Sequence, residues 1–225
     1  MSNDARFEMF AYWRTSATYR VRVALGLKGL AVEERMVNLE TGEQLSEAFL
    51  QINPLGAIPA LIDREAPAGT PPITQSLAIL EYLEEIRPEP AILPGDPAGR
   101  ARVRSLAGML ASDTHPLIPA RVTKYLTGTA GLDAAAVQAW RVHWLTTGLQ
   151  AFEHRLEVEA GTGTFCHGEE ITMADICLAS IRVILPLFKI EVAGTPLIDR
   201  IFAACESHAA FIKATPSRQT GAPPH

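Results

Sequence analysis

The chain has 225 residues, 48% of them hydrophobic and 20% charged, which describes a packed globular protein of one large or two small domains. Its 20 Lys and Arg stand against 25 Asp and Glu, a formal charge of −5, and no basic run occurs. Nucleic acid and an anionic membrane surface are therefore not expected partners. No stretch approaches the ~18 apolar residues of a bilayer-spanning helix, and the opening MSNDARFEMF lacks a signal-peptide pattern. Cys166, Cys177 and Cys205 are odd in number and form no C-x-x-C pair, so neither a disulfide framework nor a zinc ribbon is implied. A cytoplasmic location in a reducing compartment is the expectation.

In chain order, Phe7 to Trp13 is an aromatic, strand-favouring run followed by Arg14-Thr15-Ser16, whose hydroxyls suit a helix start. From Thr18 the apolar Val21, Ala24, Leu25 and Leu27 share one helical face, and Lys28-Gly29 ends it. Val32 to Leu39 reads as a second strand, so a β-α-β unit with a parallel pair is predicted. Asn53-Pro54-Leu55-Gly56 is a turn by composition, and Ile58-Pro59 precedes the short strand Ala60-Leu61-Ile62, which Pro59 must open. After a proline-rich loop, Ile73-Thr74 predicts a brief strand. Gln75-Ser76 then leads the amphipathic helix of Leu77, Ile79, Leu80, Leu83 and Ile86, which stops before Pro88.

Residues 87–97, RPEPAILPGDP, hold the densest proline run and predict a linker. Domains are expected at 1–87 and 98–225, joined by 88–97. Beyond the linker the periodicity is helical throughout: Val103, Leu106, Ala107 and Leu110 form one stripe, and Val137, Trp140, Trp144, Gly148, Phe152 and Leu156 another. The tryptophans of that stripe read as core. Thr172-Met173-Ala174-Asp175, between Ile171 and Ile176, reads as a capping box with a hydrophobic staple. The tail from Thr215 is expected to be loosely held. The fold class predicted is α+β, a β-α-β-α-β-β-α domain followed by an all-helical one. No metal or nucleotide motif is present.

Three segments carry a family resemblance. Arg14 to Leu25, RTSATYRVRVAL, resembles the S-S-x-S-x-R-V-R-I-A-L signature of zeta-class glutathione transferases. Asn53 to Leu61 and Gln75 to Glu85 look like that family's two other glutathione-site segments, and the similarity runs on to Arg218-Gln219. The resemblance implies a thioredoxin-like N-terminal domain, a helical C-terminal domain, a homodimer, and glutathione as cofactor. It further implies cis-trans isomerisation of a maleyl-type keto diacid, maleylacetoacetate before maleylpyruvate.

On that resemblance Thr15 donates to the glutathione thiolate and Ser16 orients the tripeptide, and a helix N-terminus favours the thiolate physically. Ile58, before a cis Pro59, offers its backbone to the cysteinyl part; Gln75 and Ser76 receive the γ-glutamyl carboxylate; Gln44 lies near the glycyl end. Arg14, His115 and Arg121 are the expected contacts of a dicarboxylate substrate and its enolate. Arg20 and Arg22 are expected at the surface or in ion pairs. Two positions depart from the pattern: Ala17 replaces a cysteine, and Leu187 stands where an arginine commonly precedes the phenylalanine matching Phe188. Leu187 leaves room for general conjugation or dehalogenation of a small α-halo acid, and both departures for a binding module with a vestigial site.

Overall fold

The computed structural model describes residues 5–223. β1 (Phe7–Ala11), α1 (Ser16–Leu27) and β2 (Val32–Met36) form the expected β-α-β unit, the strands pairing in parallel from Phe7↔Val32 to Ala11↔Met36. β3 (Ala60–Asp63) lies antiparallel on the other side of β1, and β4 (Ile73–Thr74) antiparallel to β3, giving the order β2-β1-β3-β4. α2 (Glu47–Leu50) is a single turn, pinned to the sheet by an edge-on contact of Phe49 with Phe10 at 5.7 Å. α3 (Ser76–Ile86) completes a thioredoxin-like arrangement.

Both leading strands stop earlier than their composition predicts. Tyr12 and Trp13 turn their carbonyls to Arg22 Nη1 at 3.4 and 3.5 Å and take the chain into α1. Asn38 Oδ1 accepts the N–H groups of Glu40 and Thr41 at 2.9 and 3.4 Å, a local turn that competes with the ladder.

α1 is buried along Thr18–Leu25, and its cations bind it to its neighbours. Arg22 pairs with Glu34 of β2 at 2.7–3.1 Å. Lys28, at the C-cap, donates to Glu84 Oε2 at 2.7 Å and to the carbonyls of Arg87 and Pro90 at 2.6 and 3.0 Å. Glu84 in turn accepts the Ile92 N–H. A buried ammonium with three acceptors thus holds the proline-rich segment to the first unit, which reaches Ile92; Leu93–Glu206 form the second.

The described residues from Ser207 onward belong to the first unit. α9 (Ala209–Ala214) packs on α1, and Gly26 permits it, since a Cβ there would lie 3.1 Å from Ala210 Cβ. Up to Gln219 the tail is held in place. Pro216 is buried in a 3₁₀ turn, and Gln219 Nε2 donates to the carbonyls of Lys213 and Thr215 at 2.6 and 3.0 Å. The helix end gains partners for its last carbonyls.

The second unit is helical: α4 (Pro97–Gly108), α5 (Ala120–Gly128), α6 (Ala134–Val158), α7 (Met173–Arg182) and α8 (Pro196–Glu206). α7 is buried from Met173 to Ile181. Its expected capping box is present, with Asp175 Oδ2 accepting Thr172 N–H at 2.8 Å while Oδ1 accepts Cys166 N–H at 2.7 Å. Glu153 of α6 caps α8 by accepting the N–H groups of Leu197 and Ile198 at 2.7 and 2.8 Å. Among the described residues no helix is long and apolar enough to cross a membrane.

At the far end of β3, Arg6 donates to both oxygens of Asp63 at 2.9 and 2.6 Å and Tyr82 donates at 2.5 Å. The Arg6 bond, with Tyr82 helping, holds the Asp63 carboxyl at about 2. A carboxylate favoured in the folded state stabilises it above the unfolded pKa and ceases to do so as pH falls through the folded one. Between pH ~4 and ~2 the protein should lose about 2 kcal/mol through this group, a step that urea unfolding of Asp63→Asn over the same range should lack.

Candidate active site

The strand register gathers three segments at one end of the sheet. β1 leaves its ladder there at Ala11; β3 begins there at Ala60, opposite Phe10; β4 ends there at Thr74, opposite Ala60. The residues just beyond these points are 12–16, 57–59 and 75–76, which hold most of the sequence-predicted site.

Thr15 is the N-cap of α1. Its Oγ1 accepts the Thr18 N–H at 3.4 Å and lies 2.6 Å from Thr18 Oγ1, to which it donates. Ser16, the first helical residue, is buried, and its Oγ finds no hydrogen-bond partner among the described residues. Buried polar atoms are nearly always partnered, so this oxygen is open to a partner from outside the chain. Arg14 is exposed, 3.0 Å from Glu40 and stacked near the rings of Trp13 and Tyr12 at 5.6 and 5.9 Å.

The Ile58–Pro59 peptide is cis, as the resemblance implies, and Ile58 lies beyond the last paired residue of β3. Its approach is the predicted turn: Asn53 Nδ2 donates to Ala57 O at 2.6 Å and Gly56 N–H to Asn53 O at 2.9 Å. Gly56 is required twice, by a φ of +61° and because a Cβ would lie 2.8 Å from Leu45 Cδ2 and 3.1 Å from Gln44 O. That close approach sets the turn beside Gln44, whose Oε1 is a second buried oxygen with no partner among the described residues.

Gln75, the N-cap of α3, is exposed with φ +70° and ψ 115° and makes no side-chain capping bond. A non-glycine in that region stores strain that the surrounding structure must impose. Ser76 is buried, and its Oγ accepts from Arg20 Nη1 at 3.0 Å. Arg20 is therefore not a surface residue: it is 1% exposed and joins α1 to the start of α3. The signal for it lay in α1 itself, which is apolar around most of its circumference, so that any cation inside the run has to be buried. Arg22 is in an ion pair, as expected. Neither α1 nor α3 has an acidic residue in its first turn, and both positive helix ends are left for an anion.

His115 and Arg121 belong to the second unit. His115 follows a π-helical turn, Met109–Thr114, and opens a 3₁₀ turn, whereas Arg121 is exposed in the first turn of α5. Gly148 of α6 lies against Thr114, where a Cβ would come within 2.7 Å of Cγ2. Trp140 Nε1 donates to Leu117 O at 2.7 Å. The tryptophans Trp140 and Trp144 are half-buried and serve as an anchor for this turn as much as core. Leu187 is 43% exposed. Arg182 is committed elsewhere, 2.7 Å from Asp199 and stacked on Phe202. Arg141, which sequence reasoning missed, stacks over the Phe188 ring at 5.0 Å, while Gln138 Nε2 holds the Phe188 carbonyl at 2.8 Å.

One end of the sheet thus gathers two acid-free helix N-termini, a cis-proline and buried hydroxyls, an arrangement compatible with the glutathione transferase fold. The family description "Glutathione S-transferase, N-terminal domain" matches residues 5–85. Over 212 residues the chain is 38% identical to the maleylpyruvate isomerase of a Ralstonia species, covering 94% of this chain and 98% of that one. It is 35% identical to a zeta-class glutathione S-transferase of Euphorbia esula, over 96% and 93% of the two chains. Among solved structures it resembles the maleylacetoacetate isomerase of Methylobacterium extorquens AM1 with bound malonate and glutathione, at TM-score 0.92 and 45% identity over 96% and 100% of the chains. It also resembles that of Anaeromyxobacter dehalogenans 2CP-1 with bound dicarboxyethyl glutathione and citrate, at TM-score 0.85 and 38% identity over 97% and 98%. The chain belongs to the zeta-class glutathione transferase family.

Gln75→Gly should relieve the left-handed strain and raise the unfolding free energy by about 1 kcal/mol, net of the entropy glycine adds to the unfolded chain. Chemical denaturation measures it, and a loss of stability would show that the conformation is not strained.

Proposed function

We propose that this chain uses glutathione to isomerise a maleyl-type keto diacid, with maleylacetoacetate preferred to maleylpyruvate. The observation that carries this reading is the sheet end itself: two N-terminal helix dipoles without acidic residues in their first turns, with the orphaned oxygen of Ser16 at the start of α1 and that of Gln44 on the residue packed against Gly56. Glutathione fits such a place, having an ionisable thiol and two carboxylates. The bound dicarboxyethyl glutathione of the A. dehalogenans relative supports a thiol meeting a diacid.

When bound, glutathione would supply a nucleophilic thiolate for reversible addition to the substrate double bond, the chemistry that cis-trans isomerisation through a single bond requires, and it would not be consumed. Thr15, at the α1 N-cap, turns its hydroxyl to the thiolate, and the helix end adds its dipole. Ser16 orients the tripeptide. Ile58 pairs its backbone with the cysteinyl unit as one more strand rung. Gln75 and Ser76 hold the γ-glutamyl carboxylate, with Arg20 adding positive charge behind Ser76, and Gln44 serves the glycyl end. The resemblance assigns Arg14, His115 and Arg121 to the substrate carboxylates and the enolate oxygen, and within the second unit Arg141 stacks on Phe188, next to Leu187. The resemblance adds a cytoplasmic homodimer.

An assay offering each keto acid with glutathione should show turnover of both, faster for maleylacetoacetate; turnover of neither would end this reading. Thr15→Ala should raise the pKa of bound glutathione by about one unit for each ~1.4 kcal/mol of thiolate stabilisation lost, with little change in glutathione affinity.

A further inference from the structure

Thr18 has no place in the reaction as described, yet its hydroxyl is fully buried and lies 2.6 Å from the hydroxyl of Thr15. We infer that Thr18 is a positioning residue for the thiolate: its hydroxyl reverses its hydrogen toward Thr15 Oγ1 when Thr15 donates to sulfur. The inference deepens the glutathione reading above and rests on it.

A hydroxyl has one hydrogen and two lone pairs. As placed, Thr15 spends its hydrogen on Thr18 Oγ1 and accepts only the long 3.4 Å bond from the Thr18 N–H. A thiolate needs that hydrogen. Once Thr15 turns to sulfur, the two oxygens at 2.6 Å face each other with lone pairs unless Thr18 supplies the hydrogen instead. Thr18 sits on the first turn of α1 and is fully buried, so a movement that keeps its packing and the 2.6 Å contact is favoured over a swing of the whole side chain. Rotation of its hydrogen is the small movement available. With Thr18 donating, Thr15 Oγ1 accepts two hydrogens while giving one, and each bond polarises the next toward the negative sulfur.

The alternative role for Thr18 is that of a core hydroxyl satisfied by Thr15 and nothing more. The two roles differ in sign. If Thr18 only accepts, it competes with the thiolate for the Thr15 hydrogen, and removing its hydroxyl leaves the thiol pKa unchanged or lower. If it relays, removing the hydroxyl weakens the Thr15 bond to sulfur and raises that pKa.

Ultraviolet titration of the thiolate of glutathione bound to the full-length protein reads the sign directly. In Thr18→Val, which preserves shape, the bound thiol pKa should rise by roughly 0.2–0.5 unit, the cooperative share of a charge-assisted bond. Thr18→Ala should move it the same way, and Thr18→Ser should restore the native value. The glutathione dissociation constant should stay within about twofold, since the effect concerns the charged form. An unchanged or lowered pKa in Thr18→Val and Thr18→Ala, while Thr15→Ala raises it, overturns the relay and leaves the glutathione reading standing. A native protein that does not depress the thiol pKa below that of free glutathione overturns both.

Discussion

The buried guanidinium of Arg20, bonded to Ser76 Oγ at 3.0 Å, is the constraint on which the site depends. Removing an arginine from water is costly, and the bond to Ser76 ties the start of α3 to the first half of α1. Arg22 does the same toward β2 through Glu34, and Lys28 toward the end of α3 and the segment up to Ile92. Three cations on one helix thereby set its position against three neighbours. The N-cap of α1 is the free end of that arrangement, and it is where the sheet delivers the cis-proline and Gln75.

Local chemistry accounts for what the sequence made legible. Strand and helix order followed from periodicity, the turn at Asn53–Gly56 from its residue types, and the capping box at Thr172–Asp175 from its spacing. Partnerships between distant segments were not legible in the same way. Nothing adjacent to Arg20 announces Ser76, 56 residues on, and nothing in the polar tail announces that Gln219 will close the end of α9. Gln75 was visible as a polar residue after a strand, but its left-handed backbone is imposed by the surrounding fold and is invisible to propensity.

Charge is handled locally. A chain with a net charge of −5 keeps acidic residues out of the first turns of α1 and α3 and places them where they cap or pair, as with Asp175, Glu153 and Glu84. The same separation bears on Leu187: the second unit lacks a guanidinium at that position, and Arg141 reaches the adjoining Phe188 from α6 instead.

On the proposed function, the sheet end holds glutathione as a catalyst and returns it. Counting free thiol while maleylacetoacetate is converted tests this most directly. The account predicts many equivalents of trans product for each glutathione, with the thiol concentration constant throughout. Loss of one thiol for each molecule of substrate converted would contradict it and would make the protein a conjugating transferase.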